Sequence, residues 1–295
     1  MTIKILEFPE LVQEEIAKQL ELLELYELSE CSQRASYIVR LAKVPNVKLS
    51  IDLHFAFHQV LTIERNEESL KLRVYSGGPI DTNKALKNIE KLLNTFHVKI
   101  IQHFCTGGVY NDVNSRIAQI IAHRKMSIEN LKFEIKHISL ENFQTFMAPL
   151  NVQNHLEIVD FAENFDFQIQ HFPKFLDVSN SLWLTMDNII EMAASRKTEK
   201  IRVKGTKITN TELNGFIERW MSDEFPGLKE ICIAHYNFQK NVWIHGREVP
   251  TNLYYLYRAG YQIQSKSGVH ASLQVDSVTF RLALVENPNE FPPIV

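Results

Sequence analysis

The chain has 295 residues, of which 45% are apolar and 23% are charged, and its formal net charge is −3. This length suits one or two domains and can bury a large core. The slightly acidic balance argues against a general nucleic-acid binder, which needs a basic face. No apolar run approaches the length of a membrane span.

The cysteines and the first residues of the chain point to an intracellular compartment. Cys31, Cys105 and Cys232 are odd in number and far apart in the sequence, which argues against a disulfide framework. The first residues lack the basic-then-apolar pattern of a secretory signal. We therefore expect a cytoplasmic or nuclear protein that has no membrane partner.

Residues 8–41 are rich in apolar side chains at helical spacing, and they predict a first helix with an acidic start. Pro9 suits the first helical position, where its missing N–H costs nothing. Val12, Ile16 and Leu20 then fall on one helical face, which we expect to be an apolar stripe.

Two shorter helices are predicted after the first one. Leu25–Leu28 can form the second helix. Ser32 can cap a third helix that runs through Leu41 and stops before Pro45. About 35 residues cannot bury this much apolar surface alone, so the rest of the chain or a second protein must cover it.

This stretch resembles an F-box, the short helical motif that docks on a Skp-type adaptor of cullin ubiquitin ligases. The typical opening is Leu-Pro or Phe-Pro, then an apolar residue, a Glu and an Ile, and it is matched by Phe8, Pro9, Leu11, Val12, Glu15 and Ile16. A Leu-x-x-Leu-Ser run is matched by Leu25–Ser29, and a Cys-Ser-x-Arg run by Cys31–Arg34. Glu21–Glu24 departs from the usual Asp, Pro or Phe turn and could continue the first helix.

The resemblance implies that a Skp-type adaptor and its cullin are partners of this protein. The predicted adaptor-binding residues are Phe8, Pro9, Leu11, Val12, Ile16, Leu20, Leu25 and Leu28. An ordinary helical cap on an α/β domain is the alternative interpretation of these residues. We assign residues 1–45 to the F-box, residues 46–96 to a connecting region and residues 97–295 to a C-terminal domain.

The connecting region predicts a β-hairpin followed by a helix. Apolar and polar residues alternate over residues 61–65 and again over 70–74, and Asn66–Ser69 is the expected turn between them. Gly77, Gly78 and Pro79 end the second strand. A helix with a buried apolar stripe is then expected from Thr82 to Asn94.

From Val98 onward, short apolar strands alternate with amphipathic helices. Strands are expected at Val98–Gln102, Leu131–Ile135, Leu156–Val159, Phe175–Val178, Ile201–Val203 and Leu228–Ile233, and helices at Val113–His123, Leu140–Met147, Thr185–Ala194 and Asn210–Met221. Such alternation favours an α/β fold whose parallel sheet has crossover helices. Its irregular period suggests a leucine-rich-repeat-like arc. A doubly wound sheet is the rival, although it usually shows a Gly-rich phosphate turn that this sequence lacks.

The best-specified unit is residues 175–233, where Thr209–Glu212 matches a helix capping box. Four large apolar residues then follow on one helical face: Leu213, Phe216, Ile217 and Trp220. Together with Pro226-x-Leu228-Lys229, these residues resemble the type-2 F-box-associated domain of the large nematode F-box family. Ser265–Leu284 resembles the closing hairpin of that family, and departures from the family pattern fall at Ser222–Glu224, His270 and Val275.

No motif in the sequence predicts a catalytic residue, a metal site or a cofactor. His54 and His58 have the spacing of two ligands on a helix but lack the adjacent Glu of a metalloprotease. Cys105–Gly108 lacks the Lys-Ser or Lys-Thr of a Walker loop and is expected to form a turn. We interpret the acidic and aromatic segment 160–167 as a solvated loop on packed rings rather than a paired-carboxylate site.

Basic residues on and beside the strand at Ile201 are the candidate surface for a protein target. Period-two alternation points Arg202 and Lys204 away from the core, and Glu230 is the matching outward residue of the next strand. The predicted target-binding residues are Lys200, Arg202, Lys204, Lys207 and Glu230. They could recognise an acidic partner, and a solvated charged face is the alternative.

These patterns and resemblances predict a non-catalytic adaptor. Its N-terminal helices would bind the Skp-type protein, and its C-terminal domain would hold an unknown target protein for ubiquitylation and degradation. Proximity would then raise the concentration of target lysines near the conjugating enzyme. The runner-up is a binding protein that sequesters or neutralises a partner outside a ligase, and an enzyme with an unrecognised site is the weakest alternative.

Overall fold

The computed structural model describes residues 5–55, 58–73, 82–107, 111–134, 139–159, 169–234, 241–244, 247–250, 261–275 and 279–285. They form a mixed α/β protein, and the chain divides into two compact units, Met1–Asn151 and Val152–Val295. The predicted boundaries at residues 45 and 96 both lie inside the first unit. They stay a prediction about how functions are divided along the chain.

In the first unit, a short 3₁₀ turn at Ile5–Glu7 precedes the helices and strands of the described residues. The helices are α1 (Glu10–Gln19), α2 (Leu22–Cys31), α3 (Gln33–Leu41), α4 (Thr82–Thr95), α5 (Asn111–His123) and α6 (Leu140–Met147). The strands are β1 (Val47–Phe55), β2 (His58–Arg65), β3 (Glu68–Arg73), β4 (Ile100–Gly107) and β5 (Ser127–Glu134).

These strands lie side by side in the order β5-β4-β1-β2-β3. β1 and β4 are parallel, as are β4 and β5, whereas β2 and β3 continue antiparallel beyond β1. The predicted hairpin is confirmed, but its turn is only residues 66–67 rather than 66–69, because Arg65 pairs with Glu68 and Glu64 with Ser69. Asn66 takes a left-handed φ of 55° in that turn, a conformation that asparagine tolerates.

In the second unit, the described helices are α7 (Met186–Ala194) and α8 (Asn210–Met221). The parallel part of its sheet consists of β6 (Val152–Val159), β7 (Phe175–Val178), β8 (Lys200–Lys204) and β9 (Glu230–Ala234). A separate pair contains β10 (Asn241–Ile244) and β11 (Arg247–Pro250), and the chain then adds β12 (Tyr261–Gln264), β13 (His270–Val275) and β14 (Thr279–Leu284).

The four parallel strands lie in chain order, β6-β7-β8-β9, and β14, β13 and β12 continue antiparallel beyond β9. α7 connects β7 to β8 and α8 connects β8 to β9, which confirms the predicted alternation of strand and helix. The predicted closing hairpin is present as β13–β14. Strand order does not reverse among β6–β9, as it would at the switch point of a doubly wound sheet.

Alternation along these strands separates an apolar layer from a polar one. Ile201 of β8 and Ile231 of β9 are paired neighbours, and each is at most 1% exposed. Phe216 and Trp220 of α8 are buried as well, and the ring of Phe216 stacks on that of Phe225 with centroids 4.8 Å apart. Val203 and Ile233 are buried on the same side, so the alternate residues of β8 and β9 form a polar layer outside this core.

Both ends of α8 carry specific caps. The predicted capping box is confirmed, because the Glu212 N–H donates to Thr209 Oγ1 and the Thr209 N–H donates to Glu212 Oε2. After the helix, Asp223 has a φ of 64°, and the N–H groups of Asp223 and Glu224 donate to the carbonyls of Trp220 and Arg219. Glycine or asparagine is common at such a left-handed cap, and Asp223 occupies it in this chain.

Three local predictions are corrected by the structure. Cys105–Gly107 belongs to β4 rather than to a turn, since its pairing with β5 continues to Gly107, and Gly108 lies outside the described residues. The strand expected from Val98 begins at Ile100, after His97 with its left-handed φ of 48°. The strand expected from Leu228 begins at Glu230, because the Leu228 N–H closes a turn on the Phe225 carbonyl.

Candidate protein-binding surfaces

The first helix buries a different face from the one its apolar spacing predicts. Gln13 and Ala17 are the buried residues of α1. Gln13 Nε2 donates to the Phe8 carbonyl at 2.5 Å, so the segment before α1 is fastened to the helix by a polar side chain. The turn of chain that contains Pro9 precedes the helix, which begins at Glu10 rather than at Pro9.

The apolar residues at the start of α1 face solvent instead. Leu11 is 71% exposed, Phe8 is 42% exposed and Val12 is 41% exposed. Leu11 and Val12 lie in the first turn of α1, Phe8 lies directly before that turn, and Pro9 between them is exposed as well. Such a group of large apolar side chains marks a binding surface when another molecule covers it. We call Phe8, Pro9, Leu11 and Val12 the apolar row.

The other predicted adaptor-binding residues lie deeper. Leu25 is fully buried, so it supports the helices from within and cannot contact a partner directly. Ile16, Leu20 and Leu28 are half-buried. Two exposed apolar residues were missed by the sequence reasoning, Leu23 on α2 and Tyr37 on α3. Their sequence neighbours are buried leucine and isoleucine, and the apolar pattern alone does not separate the two kinds of position.

The break between α1 and α2 comes from the Glu21–Glu24 segment that departs from the F-box pattern. Leu20 and Glu21 are extended, with ψ angles of 146° and 162°, so the segment does not continue α1. The Glu24 carboxylate accepts the Glu21 N–H at 2.9 Å and completes a capping box at the start of α2. A carboxylate pair thus does here what a Ser or Thr cap usually does.

The tip of the β2–β3 hairpin holds this junction from the side. Arg65 Nη1 donates to the Leu20 carbonyl at 2.9 Å, and Nη2 donates to the Lys18 carbonyl at 3.5 Å, so the guanidinium satisfies the end of α1. Glu68 Oε2 accepts the Leu22 N–H at 2.7 Å at the start of α2. The positive charge of Arg65 at the carboxyl end of α1 and the negative charge of Glu68 at the amino end of α2 each interact favourably with the helix dipole. The N-terminal helices are therefore fixed to the hairpin within the first unit.

The second surface is the polar layer of β8 and its neighbours. Arg202 and Lys204 alternate with the buried Ile201 and Val203, as predicted. Glu230 likewise lies on the opposite face of β9 from Ile231 and pairs in register with Lys200. Lys207 is exposed in the loop that follows β8. All the predicted target-binding residues thus lie on this face or beside it.

Arg202 is held in place by two neighbours on β7. Its Nη1 lies 3.3 Å from Asp177 Oδ2, and its guanidinium carbon lies 5.5 Å from the centroid of the Phe175 ring. The His155 ring of β6 packs edge-on against the same Phe175 ring, with centroids 4.6 Å apart. Arg202 is therefore an ordered cation on an aromatic support rather than an unpaired surface charge.

Glu230 joins β8 to a strand that comes much later in the chain. It lies 3.6 Å from Lys200 Nζ and 2.8 Å from Arg281 Nη2 of β14. Arg281 was missed by the sequence reasoning, because only the antiparallel pairing of β14 with β9 places it beside Glu230 and Cys232. The alternation of Phe280 and Leu282 around it was the one available signal.

A further ion-pair cluster lies at the amino-terminal edge of the same strands. Glu199 lies 2.7 Å from Lys229 Nζ and 4.0 Å from Lys174 Nζ. The hydrogen bond from Lys229 lowers the pKa of the Glu199 carboxyl below its ordinary value. The Glu199 carboxylate therefore remains ionised at neutral pH.

Cys232 lies on this face and is in register with Arg202 on one side and Arg281 on the other. Burial raises the pKa of the Cys232 thiol, against the opposing effect of Arg202 and Arg281, so the thiol stays protonated at neutral pH. Among the described residues, no cluster of three His, Cys, Asp or Glu side chains could hold a metal ion. The side chains of His54 and His58, and the backbone of segment 160–167, lie outside the described residues.

Comparison with known proteins supports the resemblance for the second unit. Residues 163–233 match the family described as F-box associated. The matched range contains β7, β8 and most of β9, together with α7 and α8, and therefore all five predicted target-binding residues. None of the helices in the described ranges has the length and apolar character needed to cross a bilayer.

One curated relative comes from a nematode. The "Skn-1 dependent zygotic transcript 15 protein" of Caenorhabditis elegans is 23% identical to this chain over 164 residues, which are 51% of the chain and 45% of that protein. The chain thus spans less than half of the relative's length. No solved structure matches this chain significantly. Together the matches show that part of the second unit is similar to F-box-associated domains and that half of the chain is similar to a nematode protein.

Proposed function

We propose that this protein is a substrate-recognition adaptor of a Skp-cullin-F-box ubiquitin ligase. In this proposal residues 1–45 act as the F-box and bind a Skp-type protein, and the repeat-like α/β region from residue 97 captures a target protein. Residues 46–96 connect these two regions. The protein acts by proximity in the cytoplasm or nucleus and contributes no catalytic residue.

The observation that carries the proposal is the exposed apolar row in a chain whose second unit matches an F-box-associated family. The chain leaves Phe8, Leu11 and Val12 uncovered although it buries Leu25 and Ala17 nearby. An apolar row of this kind is stabilised when a partner removes it from water. The F-box resemblance of the same residues names a Skp-type adaptor as that partner.

The ordered cations of β8 and its neighbours support the second half of the proposal. They are held by ion pairs and an aromatic ring, so little side-chain entropy is lost when a target binds them. A partner surface of charged groups also favours fast and specific association. Lys200, Arg202, Lys204, Lys207 and Glu230 are the proposed target contacts.

The test is affinity purification of the full chain from nematode cells, followed by identification of the bound proteins. Co-purification of a Skp-type protein and a cullin is the expected result. A single stable partner without a cullin would favour a binding protein that sequesters its partner outside a ligase. The variant Leu11→Ala should recover less of the adaptor than the wild type, whereas Leu284→Ala, at an exposed leucine of β14, is the matched control and should recover as much.

A further inference from the structure

The ion pairs on the outer face of the second unit share one unusual asymmetry. In every pair that the structure describes on β7, β8, β9 and β14 or at their amino-terminal edge, the acid is more buried than its base. The basic side chains are 41–62% exposed and the acidic ones 17–33% exposed. By contrast, Arg219 and Glu224 at the end of α8 are equally exposed.

The charges on this face are also unbalanced in number. Three carboxylates pair with five cations: Glu199 pairs with Lys174 and Lys229, Glu230 pairs with Lys200 and Arg281, and Asp177 pairs with Arg202. Glu157 of β6, in register with Asp177, adds a fourth acid to this face, which is still fewer than its cations. Lys204 adds a further exposed cation at the end of β8. The acids therefore lie beneath the cations and neutralise them only in part, so the face presents positive potential in a chain whose net charge is −3. We call Lys174, Lys200, Arg202, Lys204, Lys229 and Arg281 the cationic strip.

From this arrangement we propose that the cationic strip binds an extended, carboxylate-rich segment of the captured protein, lying along β8. The inference rests on the proposed function in taking the occupant to be the captured target. Lys200, Arg202 and Lys204 follow one another at every second residue of β8, a spacing of about 6.6 Å. An extended peptide with Asp or Glu at every second residue presents carboxylates at the same spacing.

Because the cations of the strip are spread over several positions, they suit a ligand with several separate carboxylates better than a ligand with one phosphate group. A phosphate site needs several cations that converge on one dianion. Here Lys200 and Arg281 are separated by β9, and each already contacts Glu230. Arg202 is tied to Asp177 and the Phe175 ring. Single negative charges placed at intervals match these positions better than one doubly charged group does.

The experiment measures binding of three labelled peptides to the purified full chain by fluorescence anisotropy. The probes are an alternating Glu-Ser peptide, its Gln-Ser counterpart, and the Gln-Ser peptide with one serine phosphorylated. The Glu-Ser peptide should bind at least about tenfold more tightly than either of the others. Its affinity should fall steeply as salt rises, because the contacts are exposed charges.

A triple variant locates the site without unpairing a buried acid. Lys200→Gln leaves Glu230 with Arg281, Lys229→Gln leaves Glu199 with Lys174, and Lys204→Gln removes the third charge. At about threefold per charge, the triple variant should lose about thirtyfold in affinity for the Glu-Ser peptide. The control is Lys71→Gln, Lys87→Gln and Lys99→Gln, three exposed lysines of the first unit with the same change in net charge, and it should bind like the wild type.

Three results would overturn the inference: equal binding by wild type and the triple variant, no preference for Glu over Gln, or tighter binding of the phosphorylated peptide. Adaptor binding, measured on the same preparations, separates this question from the proposed function. A wild-type chain that binds the Glu-Ser peptide through the cationic strip but binds no Skp-type protein would contradict the ligase role alone.

Discussion

Two leucines that both fall in the predicted adaptor-binding set should respond oppositely to the same substitution. Complete burial of a leucine side chain contributes about 2 kcal/mol. Because 71% of Leu11 is exposed, about 1.4 kcal/mol of this remains available to a partner, which corresponds to about tenfold in affinity. Leu11→Ala should therefore weaken adaptor binding about tenfold and lower the free energy of unfolding by only about 0.6 kcal/mol.

Leu25→Ala should do the reverse, since Leu25 is 0% exposed. A buried leucine truncated to alanine typically costs about 2–5 kcal/mol of stability. The assay pairs urea unfolding with interferometry against an immobilised Skp-type protein, under conditions where each variant remains folded. The reasoning would be refuted by a Leu11→Ala variant that unfolds more easily than Leu25→Ala, or by a folded Leu25→Ala variant whose adaptor affinity alone collapses.

The remaining predictions concern stability. Trp220→Ala should cost about 3–5 kcal/mol in urea unfolding, because the indole is buried in the core, and a neutral result would contradict that packing. Arg65→Ala should cost about 2 kcal/mol of stability, because the carbonyls at the end of α1 lose their hydrogen-bond donor. Lys71→Ala on the same hairpin should melt like wild type, and equal melting of the two variants would show that Arg65 does not stabilise the end of α1. Hydrogen bonds from Ser265 and Ser267 lower the pKa of Asp223 in the folded protein. The Asp223 carboxylate therefore stabilises the fold at pH values above its unfolded pKa of about 4, and this contribution is lost as the pH falls through the lower folded pKa. Asp223→Asn should lose less stability than wild type on acidification, and parallel losses would contradict this.

Elements with complete local signals could be predicted closely from the sequence. α8 was placed at its observed bounds because a capping box, an apolar face and a following turn all agree. α6 and β7 also match their predicted bounds. β1 was not predicted, although Val47, Leu49, Ile51 and Leu53 alternate in it and are all buried. Its signal was present, but it directly follows a helical stretch.

Burial on α1 could not be predicted from apolar spacing alone. The helix buries Gln13, whose amide finds backbone carbonyls, and leaves Leu11 in solvent. Which face is covered depends on what packs against it, and here the neighbour is the chain before Pro9 together with α3, whose Arg34 donates to the Leu6 carbonyl. In the sequence, an apolar residue that binds a partner cannot be distinguished by its spacing from an apolar residue that packs in the core.

On the target surface, the direction of the side chains could be predicted from the sequence, but their ion-pair partners could not. Orientation of Arg202 and Lys204 followed from period-two alternation within one strand. The partners of Arg202 and Glu230 did not, since Asp177 is 25 residues away from Arg202 and Arg281 is 51 residues away from Glu230. Pairing over such separations is decided by sheet topology, which local patterns do not encode.

Hydrogen exchange of the full chain, with and without a purified Skp-type protein, tests most directly whether the N-terminal helices rather than β7–β9 bind the adaptor. The account predicts slower amide exchange at the start of α1 on adding the Skp-type protein, because the apolar row becomes covered. Exchange in β7, β8 and β9 should remain unchanged. Protection of those strands, or no protection anywhere in a folded chain at saturating Skp-type protein, would contradict the proposal that the N-terminal helices are the adaptor-binding site.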